Sequence, residues 1–87
     1  MWLRPTDRPP TLHPAGGWAI RMLSQECPVM VRVTDEALEE VGPASVLSPS
    51  IFKYRDVLEE IADKKFARHE FEPDGTITIK SADVSHV

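Results

Sequence analysis

Several sequence features are rare or absent in the 87-residue chain, and each absence excludes a class of protein. It has a single cysteine, Cys27, so an intramolecular disulfide is excluded and a reducing compartment is expected. No apolar run approaches the ~18 residues that span a bilayer, and the proline-containing N-terminus is unlike a secretory signal. We therefore expect a cytoplasmic protein without membrane association.

An excess of positive charge is also lacking. Ten Lys and Arg residues face 14 Asp and Glu residues, which gives a formal net charge of -4. Proteins that bind nucleic acid or anionic lipid without specificity draw their affinity from clustered cations. An acidic chain is therefore a poor candidate for either partner. The hydrophobic fraction of 41% nevertheless indicates a folded domain with one small core.

The first part of the chain divides into a lead-in and a hairpin. Residues 1–17 contain four of the eight prolines and are predicted to be irregular. Alternating apolar residues over 18–23 and 27–33 predict two strands, and the short polar connection between them favours an antiparallel hairpin. We expect a single α+β domain over 18–84 and a frayed end at 85–87.

Two helices and a second hairpin are predicted to follow. Thr34 and Asp35 are typical of a helix start, and Gly42-Pro43 ends that short helix. A longer helix begins at Ser48-Pro49, and its apolar stripe comprises Ile51, Tyr54, Leu58, Ile61 and Ala62.

The turn over 72–76 places Pro, Asp and Gly in sequence, which predicts a hairpin with Phe71 opposite Ile77 and His69 opposite Ile79. The expected fold class is α+β, a small antiparallel sheet in the order β-β-α-α-β-β with both helices on one face.

Catalytic and metal-binding patterns are missing from the chain. His13, His69 and His86 are scattered, and the chain has no CxxC or HxxH pair and no phosphate-binding loop. We predict no catalytic residue, no metal site and no cofactor. Cys27 and His69 are the candidates for a small enzyme or ligand site, but a small buried residue and a partly buried structural histidine explain them more simply.

Charged and aromatic residues of the long helix supply the binding candidates. Phe52, Arg55 and His69 are weak candidates for contact with a protein partner, because aromatic and Arg side chains dominate binding hot spots. A nucleic-acid stripe is the alternative, formed by Lys53, Arg55, Lys64, Lys65 and Arg68. Carboxylates alternate with these cations, so a solvated helix face with basic residues near its C-terminus is the simpler interpretation.

An ordered set of short features resembles a known family. It comprises the strand Cys27 to Val33, then Glu36-Ala37-Leu38, then Phe52, Arg55, Leu58, Glu59, Ala62 and Lys65-Phe66, and finally Phe71-Glu72-Pro73-Asp74-Gly75, Ile77-Thr78-Ile79 and Asp83. In these features the chain from about 18 to 84 resembles the small bacterial proteins of domain-of-unknown-function family 1488. The resemblance implies a compact α+β domain and no particular activity. The chain departs from the family at Ser24-Gln25-Glu26, where the family has an Asp-Gly turn, and at 42–48, which is rich in small rather than acidic residues.

Three hypotheses of function follow. The first is a non-enzymatic protein-binding or regulatory module, acting on an unidentified protein partner or by self-association through open sheet edges. The second is a nucleic-acid accessory protein that uses the basic residues of the long helix. The third is a small enzyme or ligand-binding protein around His69 or Cys27.

Overall fold

The computed structural model describes residues 3–41 and 50–85. Within them the chain forms a mixed five-stranded sheet and four helices, which confirms the α+β class. The elements in chain order are β1 Arg4–Pro5, β2 Thr11–Leu12, β3 Trp18–Ser24, β4 Cys27–Val33, α1 Asp35–Val41, α2 Ser50–Lys53, α3 Arg55–Ala67, β5 Ile77–Ile79 and α4 Ser81–Ser85. No helix in these ranges is long and apolar enough to cross a membrane.

The predicted first hairpin is confirmed. Strands β3 and β4 pair antiparallel from Trp18 opposite Val33 to Ser24 opposite Cys27. The two-residue loop between them, Gln25 and Glu26, has φ values of 50° and 72°, which is the pattern of a type I′ turn. Because residues directly opposite share a face, the alternating apolar side chains of both strands form one surface of the sheet.

The predicted second hairpin is wrong. Strand β5 pairs parallel with β4, with Val31 opposite Ile77 and Val33 opposite Ile79. The strand expected before the turn does not form, because the segment after α3 packs against the end of that helix. The turn itself is present: Gly75 N–H donates to the Glu72 carbonyl at 2.8 Å, and Glu72 N–H donates to the Thr76 carbonyl at 2.7 Å.

The lead-in is more ordered than predicted. Strands β1 and β2 both pair with β3, so the sheet runs β1-β3-β4-β5 with β2 also on the outer edge of β3. Leu3 is fully buried in the core. Trp2 lies outside the described residues. At the other end of the chain, Ser85 belongs to α4 and donates to the Ser81 carbonyl at 2.9 Å.

The core lies between the apolar surface of the sheet and the helices. The predicted helical stripe contributes, but the helix is divided at Tyr54 into α2 and α3. The predicted start at Ser48-Pro49 falls outside the described residues. The fully or almost fully buried core residues are Leu3, Ile20, Met22, Val31, Val33, Ala37, Ile51, Leu58, Ile61, Ala62, Ile77 and Ile79.

Candidate binding surface at Phe71

The end of α3 determines where the following segment lies. His69 N–H donates to the Phe66 carbonyl and Glu70 N–H to the Lys65 carbonyl, at 3.0 and 2.9 Å. His69 has a φ of 58°, so these bonds form a Schellman motif with His69 at the position that glycine usually occupies. The chain therefore turns back over the helix end. His69 is exposed there, and the expectation that it is partly buried is wrong.

Phe71 projects from this turned-back segment and is 44% exposed. Its ring centroid lies 6.0 Å from that of Phe66 and 6.0 Å from that of His69. These distances are typical of favourable aromatic pairs, so the ring is held from two sides while one part of it faces solvent.

A depression lies on each side of the Phe71 ring. The first has a volume of about 330 Å³ and is lined by Pro28, Val29, Met30, Phe66, Phe71, Asp74, Gly75 and Thr76. The second has a volume of about 320 Å³ and is lined by Lys65, Glu70, Phe71, Glu72, Thr78, Lys80, Ala82 and Asp83. We call Phe71 and the residues lining both depressions the Phe71 surface. Five of the eight residues that line the first depression are apolar, and five of the eight that line the second are charged.

Asp74 is fixed at the rim of the first depression by the turn. Its carboxylate accepts a hydrogen bond from Thr76 N–H at 2.9 Å. This bond holds the pKa of Asp74 below its ordinary value of 3.8. The carboxylate is therefore ionised at neutral pH and its position is set by the backbone.

Lys65 and Asp83 form the wall of the second depression. The Lys65 ammonium lies 2.9 Å from the Asp83 carboxylate and 3.8 Å from that of Glu70. Asp83 also accepts the Lys80 N–H at 2.9 Å. Burial would raise the pKa of Asp83, but the Lys80 N–H and the Lys65 charge outweigh it and lower the pKa below 3.8. This network ties α4 to the end of α3.

The sheet edges leave little room for an added strand. Because Thr34 N–H donates to the Ile79 carbonyl, Ile79 faces β4, and alternation directs the peptide groups of Thr78 to the outer edge. On either side of Thr78 that edge is occupied: Glu72 N–H donates to the Thr76 carbonyl and the Asp83 carboxylate accepts the Lys80 N–H.

The outer edge of β3 is covered as well. Strands β1 and β2 pair with its two ends, and between them the Thr6 hydroxyl donates to the Arg21 carbonyl at 2.8 Å. Within the part of the chain that the structure describes, β1 and β2 therefore cover the outer edge of β3, while the peptide groups of Thr78 remain on the outer edge of β5.

The basic residues of the long helix face carboxylates. The distances are 3.4 Å for Arg55 to Glu59, 3.8 Å for Lys64 to Glu60, 2.9 Å for Lys65 to Asp83 and 2.6 Å for Arg68 to Glu70. Lys53 instead has its ammonium 5.3 Å from the centroid of the Tyr54 ring. Four of the five cations of the predicted nucleic-acid stripe are thus matched by acids within the fold.

Arg55 and Glu59 are not on a solvated face, contrary to expectation. Their side chains are 20% and 8% exposed. Burial raises the pKa of Glu59 above 4.5, although the charge and hydrogen bond of Arg55 oppose it. Arg55 also donates to the Thr6 carbonyl at 2.9 Å. Arg55 therefore links residues 1–17 to the helix α3 through a hydrogen bond.

Phe52 belongs to a separate apolar group. It is 45% exposed, and its ring centroid lies 5.6 Å from that of Trp18. Leu12, directly opposite Trp18 in the sheet, is 72% exposed. This group adjoins the end of the hairpin where Trp18 pairs with Val33, whereas Pro28 and Val29 of the Phe71 surface lie towards the turn end.

Cys27 and His69 do not form a shared site. Cys27 is exposed at the start of β4, so its expected burial is wrong. Neither residue is part of the lining of the two depressions beside Phe71. Among residues 3–41 and 50–85 no group of three or more His, Cys, Asp or Glu side chains is arranged to hold a metal ion.

No family model, curated protein or solved structure matches the chain. The resemblance to domain-of-unknown-function family 1488 stays a prediction.

Proposed function

We propose that the protein is a non-enzymatic protein-binding module and that the Phe71 surface holds its partner. The observation that carries the proposal is the half-exposed Phe71 ring between two depressions of more than 300 Å³. An aromatic ring beside a concave site is the usual form of a binding hot spot, because it buries a large area at small conformational cost.

The contacts that hold the Phe71 side chain in place favour recognition of a partner over catalysis. The ring is braced by α3 through Phe66 and by the hydrogen-bonded turn that follows it. The exposed Cys27 and the exposed His69 lie on different elements, and neither lines either depression. An aromatic ring that is already held in place from two sides suits binding, because little conformational freedom is lost when a partner covers it.

Cytoplasmic location and membership of family 1488 belong to the same proposal. Exposed Cys27 suits a reducing compartment, since an accessible thiol in an oxidising one would be prone to disulfide exchange. The family relationship rests on the ordered residues between 18 and 84 given above.

The proposal is tested by capture from host lysate with matched variants. The tagged full chain would be compared with Phe71→Ser, with Val57→Ser as an exposed apolar control and with Phe52→Ser as a probe of the second apolar group. Val57 is 39% exposed on α3, close to the exposure of Phe71. We expect proteins retained by the wild type and by Val57→Ser to be lost on Phe71→Ser. Circular dichroism would confirm that each variant is folded.

Two other outcomes would overturn the proposal. Retention that survives Phe71→Ser but is lost on Phe52→Ser would move the binding surface to the group around Trp18. Retention that disappears after nuclease treatment of the lysate would favour the nucleic-acid hypothesis.

A further inference from the structure

We infer that the Phe71 surface takes a basic peptide segment, with one aliphatic or aromatic side chain in the first depression and a Lys or Arg against Asp74 and Glu72. The inference rests on the proposed function and adds the chemistry of the partner.

The first depression provides the apolar contact. Three elements converge on it: the start of β4 with Pro28, Val29 and Met30, the end of α3 with Phe66, and the segment that carries Phe71. A partner side chain placed there would exchange water for aliphatic and aromatic neighbours. Burial of one large apolar side chain favours binding and would anchor a short segment.

The rim provides unpaired negative charge. Asp74 is the charged residue in the lining of the first depression, and Glu72 lines the second. Among the described residues neither has a cation within 4.0 Å, whereas Glu70 and Asp83 are paired with Arg68 and Lys65. Asp74 in the lining of the first depression, with Glu72 two residues earlier in the same turn, complements a cation next to an apolar anchor.

The distribution of cations determines where the basic residue of the partner segment would lie. Lys80 lines the second depression and, in the part of the chain that is described, has no carboxylate within 4.0 Å. Glu72 shares the lining of the second depression with Lys65 and Lys80, whereas Asp74 is the charged residue in the lining of the first depression. The attraction for a basic residue is therefore strongest at Asp74. The net charge of -4 adds a long-range attraction that brings basic segments to the protein.

The acidic rim is ordered before binding. The hydrogen bond from Thr76 N–H holds the Asp74 carboxylate in place, and the bonds between Glu72, Gly75 and Thr76 close the turn. A partner would therefore lose little affinity to the ordering of this loop.

The test is a selection followed by titration. A random peptide library would be selected on the immobilised full chain after depletion on Phe71→Ser, and selected peptides would be titrated by fluorescence anisotropy. We expect an apolar residue with Lys or Arg close to it, and loss of binding on Phe71→Ser. The double variant Glu72→Gln/Asp74→Asn should raise Kd by about 3- to 10-fold at low salt and by less at high salt. Val57→Ser should leave Kd unchanged.

The outcomes separate this inference from the proposed function. Selected peptides that depend on Phe71 but are neutral or acidic, or whose Kd is unchanged in the double variant, would overturn the basic-partner inference and leave Phe71 as the binding surface. A selection that yields no peptide dependent on Phe71 would overturn both.

Discussion

The Arg55 guanidinium donates a hydrogen bond to the backbone carbonyl of Thr6, 2.9 Å away and 49 residues earlier in the chain. Two turns further along the same helix, the Asp63 carboxylate accepts the Leu3 N–H at 2.7 Å. Leu3 itself is fully buried. The polar side of α3 therefore holds the first strand in place at two points while its apolar side fills the core.

Replacing Arg55 with alanine should destabilise the protein. The change removes the bond to Thr6 and leaves the Glu59 carboxylate without its cation in an environment where its side chain is 8% exposed. We expect the free energy of unfolding to fall by about 2–3 kcal/mol, measured by urea denaturation. Lys64→Ala removes an exposed pair on the same helix and should cost at most about 0.5 kcal/mol.

A double variant tests the reason for this loss. Arg55→Met/Glu59→Leu removes both charges, so it should be more stable than Arg55→Ala alone. If Arg55→Ala were no more destabilising than Lys64→Ala, the role of Arg55 as the fastening of the lead-in would be wrong.

Local patterns predicted the hairpin β3–β4, the start of α1 and the buried stripe of α3, because each depends on residues close in sequence. They did not predict the order of the lead-in. Prolines and polar residues over 4–14 are typical of a loop, and the contacts that order the segment join Leu3 to Asp63 and Thr6 to Arg55. No local spacing encodes pairs so distant in the chain.

His69→Gly should stabilise the protein. His69 adopts a φ of 58° at the end of α3, a conformation that costs a side chain with a β-carbon about 1 kcal/mol and glycine almost nothing. We expect a gain of about 0.5–1 kcal/mol in the free energy of unfolding, measured by thermal and urea denaturation. Ala67→Gly, at the last residue of α3, should instead lose stability, by less than the ~1 kcal/mol that glycine costs in a helix interior. A destabilised His69→Gly would mean that the imidazole contact with Phe71 outweighs the backbone cost.

The candidate surface is only partly predictable from the sequence, because it too combines a local turn with contacts between residues distant in the chain. The Pro73-Asp74-Gly75 turn is predictable, since its signal is local. Alternation with His69 predicts a strand at Phe71, and the helix end has no glycine to indicate a Schellman motif. The depression also requires the start of β4 to meet the end of α3, which depends on the parallel pairing of β4 with β5.

Gly17 and Gly75 should respond differently to alanine. Both have positive φ, 75° and 88°, so both variants carry the cost of the left-handed conformation, about 1–2 kcal/mol. A β-carbon at Gly17 would overlap the Val33 carbonyl oxygen, whereas one at Gly75 would have no atom within 4 Å. Gly17→Ala should therefore lower the free energy of unfolding by at least about 1 kcal/mol more than Gly75→Ala. Equal losses in urea denaturation would contradict the close approach of Gly17 to Val33.

Asp83→Asn should lower stability in a manner that depends on pH. The folded-state pKa of Asp83 lies below 3.8, so its ionised form stabilises the fold fully above that value and the contribution is lost as pH falls through the folded pKa. Asparagine can still accept the Lys80 N–H, so the variant isolates the charge pair with Lys65. We expect a loss of about 1–2 kcal/mol at neutral pH that shrinks below about pH 3.8.

Glu59 acts in the opposite direction: its raised pKa means that its protonation on acidification favours the fold. The Asp83 effect is therefore measured as the difference between wild type and variant at each pH, with Glu60→Gln as the exposed control. A difference that is constant with pH would contradict a stabilising role for the Asp83 charge beside Lys65.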